Sequence, residues 1–255
     1  MRITYLGQCG FLLEDGDLRI VTDPYLSDSV DRNHYSKETP WKRLYPAPIT
    51  LGELNPDIIM ISHGHDDHMD PDTLCPYRAL GGEAPIVVPA PEIYTIDRWG
   101  LKGICPARAE SSFRIKHATI TPIPCAHTQF HTDELGRFYE LSYIIDMGNG
   151  KRVFFGGDMS LYDGLEKRLR DANLSLIMLP ANGRDAKRTN LGIIGNTTAE
   201  EAAKLSVALC VPWIPMHHDL YDINRCESDE PKRESQRVGA DVISLAPMES
   251  HEIHV

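Results

Sequence analysis

Apolar residues in this chain fall mostly in short runs that end abruptly in polar clusters. Residues 2–6, 10–14 and 18–23 read as an opening antiparallel meander, with Asp15-Gly16-Asp17 as its second turn. Asp57-Ile58-Ile59-Met60-Ile61-Ser62 is short and rich in β-branched residues, which predicts a buried strand. The same pattern predicts strands at residues 118–124, at 174–179 (ending on Pro180) and at 211–216. Residues 138–145 and 151–155 predict a second hairpin around Met147-Gly148-Asn149-Gly150. Helices are expected at residues 161–174 and 198–209, the latter opened by a capping box of Thr197 with Glu200. Strands and helices alternate behind an antiparallel start, which places the chain in a mixed α/β class. The chain contains no repeat, no G-x-G-x-x-G and no P-loop, and it reads as one domain over residues 1–255.

The polar cluster that ends the run at 57–62 is the strongest chemical signal. His63-Gly64-His65-Asp66-Asp67-His68 packs three imidazoles and two carboxylates into one turn. Strand C-terminal ends are where α/β folds place their sites. Imidazole with carboxylate suits zinc, manganese or iron. His63 and His65 can converge on one ion as the chain leaves the strand, while Asp67 and His68 can reach a second. Two ions need more donors than one turn holds, and later strand ends offer them. Cys125-Ala126-His127 follows one predicted strand, with His131 four residues on; Gly156-Gly157-Asp158 follows another, and His217-His218-Asp219 a third. Strand-end geometry favours His127 over His131. Each of these residues alone would read as an ordinary hydrogen-bonded side chain. Their shared order makes a metal site.

Thr22-Asp23-Pro24, His63/His65/Asp67/His68, His127, Gly157-Asp158 and His217 together resemble the metallo-β-lactamase superfamily. The resemblance spans residues 22–217 and implies a four-layer αββα sandwich, with metals in a groove along one edge of two sheets. It implies His63, His65 and His127 on a first divalent ion, Asp67, His68 and His217 on a second, and Asp158 bridging both. Asp23 is similar to an aspartate that supports such sites by hydrogen bonding. Within the superfamily, Ile214-Pro215-Met216-His217-His218-Asp219-Leu220 resembles a segment of the L-ascorbate-6-phosphate lactonase branch. Gly157-Asp158-Met159-Ser160-Leu161-Tyr162 and Asn182-Gly183-Arg184 are further echoes, with Gly183 where that branch has proline. The implied activity is opening of a phosphorylated sugar-acid lactone by hydroxide held between two metals, with manganese favoured over zinc by the branch likeness. Asp67 would orient the hydroxide. His218 is the candidate for proton delivery, with pairing to Asp219 as its plainer role. A phosphodiesterase and a non-catalytic metal-bound sensor or scaffold are the alternatives.

Composition narrows the class of partner. A formal charge of -11 argues against a nucleic-acid substrate, because binding a polyanion depends on Lys and Arg neutralising phosphates. No apolar run approaches the ~20 residues that cross a bilayer. The start Met1-Arg2-Ile3-Thr4-Tyr5-Leu6 reads as a strand rather than a signal peptide, so a cytoplasmic protein is expected. Six cysteines without C-x-x-C spacing read as free thiols, Cys125 as a buried structural one. The expected partner is a small anionic molecule, and homo-oligomerisation is left open. For a substrate phosphate, the loop Arg184-Asp185-Ala186-Lys187-Arg188 is the candidate cradle, with Arg184, Lys187 and Arg188 as contacts and Arg184 foremost.

Residues 24–56 show no periodicity but carry Tyr25, His34, Tyr35, Trp41 and Tyr45. Aromatic content of this kind argues against disorder, and a connection so long reads as an ordered flap. If the flap covers the metals, Tyr35 and Trp41 would wall the substrate, and Lys42 or Arg43 would meet an anion.

Overall fold

The computed structural model describes residues 1–148 and 150–254. Among these, two mixed sheets face each other. Strands β1 (Arg2–Gly7), β2 (Gly10–Asp15), β3 (Leu18–Thr22), β4 (Ile58–Met60), β5 (Ile86–Pro89) and β6 (Ile104–Ala107) lie side by side in chain order. Strands β7 (Phe113–Ile115), β8 (Ala118–Pro124), β9 (Leu141–Asp146), β10 (Arg152–Phe155), β11 (Leu176–Pro180) and β12 (Trp213–Met216) form the second sheet in the same way. The last strand, β13 (Ser250–Glu252), returns to pair with β1. Each sheet is antiparallel at its start (β1–β2–β3, β7–β8–β9–β10) and parallel afterwards (β3–β4–β5–β6, β10–β11–β12). Parallel pairing requires long crossovers, and helices fill them.

Period-two burial shows the layering. In β10, Val153 and Phe155 join the core between the sheets, whereas Phe154 packs outward. In β4, Ile58 and Met60 face inward and Ile59 outward. Helices α1 (Ser29–His34) and α2 (Leu51–Leu54) interrupt the long connection after β3, and α3 (Pro71–Ala79) and α4 (Ile93–Asp97) follow β4 and β5. Leu54, Leu74 and Ile96 of α2, α3 and α4 pack with Ile59 and Ile86 on the outer face of the first sheet. Helices α5 (Leu165–Asp171), α6 (Ala186–Asn190), α7 (Ala199–Leu209) and α8 (Glu230–Val238) belong to the second half. Leu165, Leu169, Ala202 and Leu205 of α5 and α7 pack with Phe154, Ile177 and Leu179 on the second sheet's outer face. The result is the four-layer αββα sandwich.

Several boundaries differ from expectation for local reasons. Helix α5 starts after Gly164, whose φ of 89° is left-handed, and Asn173 at φ 51° closes its far side. The capping box of α7 is Thr198 with Glu201, one residue later than predicted. Thr197 is wholly buried and donates its hydroxyl to the Met159 carbonyl at 2.7 Å, so its side chain is committed elsewhere. The second hairpin forms as β9 and β10, but its turn includes residue 149, which lies outside the described residues. Residues 24–56 are ordered into two short helices joined by loops. All six cysteines are free.

Gly157, after β10, has φ +64°, and a Cβ added there would lie 2.7 Å from Ser62 Cβ in the other sheet. Gly157→Ala should therefore lose about 2–4 kcal/mol of stability in denaturant titrations, from left-handed strain and overpacking together. Gly16→Ala has a similar φ but nothing within 4 Å. It should lose only about 1–2 kcal/mol. Equal losses at the two positions would show that the sheet-to-sheet contact is unimportant.

Candidate metal centre

The site is assembled where strands of both sheets end, and a buried aspartate organises it. Asp23 follows β3, is wholly buried, and accepts from the Ser62 amide (2.7 Å), the Ser62 hydroxyl (2.5 Å) and His68 Nδ1 (2.7 Å). With its hydroxyl proton given to Asp23, Ser62 Oγ accepts from His63 Nδ1 at 2.9 Å. In the neutral form of either ring the proton then sits on Nδ1 and Nε2 carries the lone pair, the tautomer a metal ligand needs. The turn after β4 is tight, since the amides of His68 and Met69 both donate to the His65 carbonyl.

The second sheet brings the remaining donors. Cys125 Sγ donates to the Asp158 carbonyl at 3.2 Å, and Ser160 Oγ to that of His127 at 2.8 Å, tying the ends of β8 and β10 together. After β12, His217 adopts φ 54° and donates its amide to the Gln8 carbonyl at 2.8 Å.

Among the described residues, four overlapping donor clusters result: two match the expected ligand groups, and the others join Cys9 with His68 and Asp158, and Asp23 with His63 and His68. Ligating atoms of His63, His65, His127 and Asp158 lie within 4.8 Å of one another, as do those of Asp67, His68 and His217. His63 Nε2 and His65 Nδ1 are 2.9 Å apart, and His217 Nε2 is 3.1 Å from Asp67 Oδ2. Asp158 stands between the groups: Oδ1 is 3.4 Å from His68 Nε2, and Oδ2 is 3.4 Å from His127 Nε2 and 3.3 Å from His217 Nε2. Donors about 2.0–2.2 Å from a shared cation in tetrahedral array sit roughly 3.4 Å from each other, so these spacings suit a cation between them. His68 Nε2 is buried with no hydrogen-bond partner. That orphaned nitrogen, in a cluster of imidazole and carboxylate, fits divalent metal.

Charge in the cluster is strongly coupled. Burial works against ionised His68, yet the carboxylates of Asp158, Asp67 and Asp23 outweigh it and hold its pKa well above the ordinary value. His217 is raised likewise, burial being overcome by Asp158 and Asp67. Burial opposes ionised Asp67 and Asp158 too, but the neighbouring imidazoles keep both low. His63 and His65 are lowered, first by burial; at His63 the adjacent imidazoles of His68 and His65 add to it, whereas at His65 the Asp67 carboxylate opposes burial without overcoming it.

Above these donors opens a cavity of about 510 Å³, lined among others by His34, Trp41, Asp66, Ile193, Ile194 and Asn224. Trp41 is in the lining and sits edge-on to Tyr221, ring centroids 5.2 Å apart. Tyr35 is not in the lining; its side chain is 60% exposed. His131 stays out of both donor groups and pairs with Glu140 at 3.1 Å. His218 is half-buried outside the lining, with Nδ1 unpartnered and its pKa lowered by burial. Asp219 accepts from the hydroxyls of Tyr5 (3.0 Å) and Tyr45 (2.8 Å), so it anchors the flap's Tyr45 to β1.

The phosphate cradle is corrected by the structure. Arg184 forks onto both carboxylate oxygens of Glu201 (2.8 and 2.5 Å) and the Asn196 carbonyl, pointing toward the start of α7. Arg188 is held by Asp185 at 2.5 Å and Asn224 Oδ1 at 3.2 Å, and Lys187 is exposed outside the lining. Arg43 donates to the carbonyls of Tyr25, Ser27 and Tyr45 instead of meeting an anion.

The sequence reading gave no site role to His34, Asp66 or Gln8. His34 pairs with Asp66 at 2.7 Å in the pocket wall. Gln8, 2% exposed and at φ 54°, places its amide nitrogen 2.7 Å from Asp67 Oδ2 and 2.9 Å from His217 Nε2. Its signal was a polar side chain in an otherwise apolar hairpin, flanked by Gly7 and Gly10.

A family model described as Beta-lactamase superfamily domain matches residues 2–217. The chain belongs to this superfamily. It is 24% identical over 254 residues to a UPF0173 metal-dependent hydrolase of Thermus thermophilus, covering 98% of this chain and 97% of that one. A UPF0173 metal-dependent hydrolase of Archaeoglobus fulgidus is 25% identical over 260 residues, with both chains covered fully. The solved structure of a possible metal-dependent hydrolase from Veillonella parvula superposes with a TM-score of 0.80 at 14% identity, covering 99% of each chain. That superposition supports the metallo-β-lactamase fold.

Asp158→Ala should lower bound metal at both donor groups in elemental analysis, whereas His131→Ala should leave metal content at the wild-type level. Retention in the first variant, or loss in the second, would refute the grouping. Metal binding should also depend on pH. Raised pKa values at His68 and His217 stabilise the metal-free fold fully below about 6.5, and this contribution is lost as pH rises through the raised values. A cation must displace the same protons, so its affinity should climb over that interval while the metal-free protein's Tm falls. Calorimetry in buffers of different ionisation enthalpy checks the proton release. Affinity that stays flat from pH 6.5 upward would contradict it.

Proposed function

We propose that this protein is a metal-dependent hydrolase that opens a carboxylic ester of the lactone type. The observation that carries the reading is Asp158, whose two oxygens reach donors of both groups at 3.3–3.4 Å on the floor of an open pocket. The names of the UPF0173 relatives support the hydrolase part, and the segment through His217-His218-Asp219 supports the lactone part. Five imidazoles and two carboxylates make up the donors, a set that manganese and zinc both accept. When bound, two such cations would acidify a water to near-neutral pKa and polarise a carbonyl oxygen.

The chain's own residues do the rest. Asp67, hydrogen-bonded by Gln8 and next to His217, would orient the attacking water toward the carbonyl as a hydrogen-bond acceptor. His34, paired with Asp66 in the lining, would return a proton to the leaving alkoxide, a role for which His218, outside the lining, is the weaker candidate. Trp41 and Ile193 shield one side of the pocket from water. Phosphodiester hydrolysis is disfavoured because, among the described residues, no Lys or Arg lines the pocket to neutralise the phosphate. Free thiols on all six cysteines suit a reducing, cytoplasmic setting, and no described helix is long and apolar enough to cross a membrane.

Purified protein should open a simple γ-lactone, lose that activity to a chelator, and regain it with manganese or zinc. A bis-aryl phosphodiester should be turned over far more slowly. Phosphodiester hydrolysis matching or exceeding lactone opening would reverse the assignment, and chelator-resistant lactone opening would remove the metals from it.

A further inference from the structure

We infer that the substrate presents an uncharged, apolar portion to the part of the pocket lined by Trp41, Leu191, Ile193 and Ile194. This deepens the hydrolase reading and rests on it for the position of the scissile bond. Two independent observations lead here.

The first is the wall itself. Four consecutive residues, Leu191, Gly192, Ile193 and Ile194, line the pocket, with Val30 and Trp41 also in the lining. Single exposed apolar side chains are ordinary, but several in one concavity mark a binding surface. Ile194 is 45% exposed although its neighbour Ile193 is buried at 7%. The segment is fixed by backbone bonds: the amides of Leu191 and Ile193 donate to the Arg188 carbonyl at 3.0 and 2.9 Å, and that of Gly192 to Thr189. Gly192, at φ 75°, makes the turn that presents the two isoleucines.

The second is the disposition of charge. Arg184, Arg188 and Arg43 are all engaged by carboxylates, carboxamide or carbonyls, as described above, and none lines the pocket. The charged side chains that do line it beyond the imidazoles are Asp66, Asp67 and Asp158. Asp67 and Asp158 are metal donors and Asp66 is paired with His34, so what the lining lacks, among the described residues, is a Lys or Arg to hold an anionic tail away from the floor. Asn224 supplies neutral polarity. Its Oδ1 takes bonds from Asn182 Nδ2 (3.0 Å) and from Arg188, which can only donate, so its amide NH₂ is the group left to offer a substrate. An apolar wall with neutral polar groups, the Thr39 hydroxyl and the Asn224 amide, suits neutral acyl compounds better than phosphorylated ones.

The test uses metal-loaded full-length protein and γ-lactones that share one ring. One series carries alkyl tails of increasing length; matched compounds end in carboxylate or phosphate. kcat/KM should rise about threefold per added methylene until the wall is covered, and the anionic compounds should be poorer than alkyl ones of equal length. Ile194→Lys, at an exposed position that tolerates polarity, should keep wild-type metal content and Tm. It should lower kcat/KM for the longest alkyl lactone roughly tenfold and narrow or reverse its advantage over the carboxylate compound. A flat chain-length series, or a phosphorylated lactone preferred by the wild type, would overturn the inference while leaving lactone hydrolysis intact. If no lactone is opened at all, the lactone reading fails. Calorimetric binding of the same compounds then decides the seat: affinity that grows with tail length retains it, and affinity that does not removes it.

Discussion

The Asp23 carboxylate is the interaction on which the site depends. A wholly buried carboxylate is tolerated only when its hydrogen-bonding capacity is filled, and here three donors fill it. By taking the Ser62 amide, Asp23 gives the chain leaving β4 its bond at the point where strand pairing stops. By taking the Ser62 hydroxyl it sets His63, and by taking Nδ1 it sets His68. One side chain thus orients an imidazole from each donor group. The arrangement explains why the meander and the turn after β4 sit side by side before any cation arrives.

Features governed by local pattern were legible in the sequence. The strands β1 to β4 and β8 to β12 are β-branched or aromatic runs with polar ends, and the donors at those ends appear in the chain as unusual clusters of imidazole and carboxylate. Other elements left weaker traces. Strand β6 is largely exposed, helix α3 contains Pro76, and α8 is charged along most of its length with Ser235 and Pro231 on its buried side. Gln8 was invisible for a different reason. Its chemistry exists only because the turn between β1 and β2 meets the end of β12, more than two hundred residues later.

Arg184 shows how proximity in sequence misleads. It lies near segments that resemble a phosphate-handling branch, yet its guanidinium turns to Glu201, the carboxylate that also closes the capping box of α7. A helix start thereby absorbs the cation that a phosphate site would have needed. Arg188 is diverted in the same manner to Asp185, the cap of α6. Both arginines serve helix ends, and the pocket is left to isoleucine, tryptophan and carboxamide.

The donor set divides along the chain as the sheets do. His63, His65, Asp67 and His68 come from the half built on β1 to β6; His127, Asp158 and His217 come from the half built on β7 to β12. Neither half carries a complete set. The halves also touch directly, through the Leu141 amide on the Ser62 carbonyl at 2.9 Å and the Tyr143 hydroxyl on the Ile61 carbonyl at 2.8 Å. A cation held at Asp158 is therefore a gauge of alignment between two separately built sheets. A slip of one against the other would part His68 from His127 and His217 and leave an ion with half its ligands. Tight binding is then available only to chains whose halves have docked in register, so loading with metal discriminates the finished fold from its near misses.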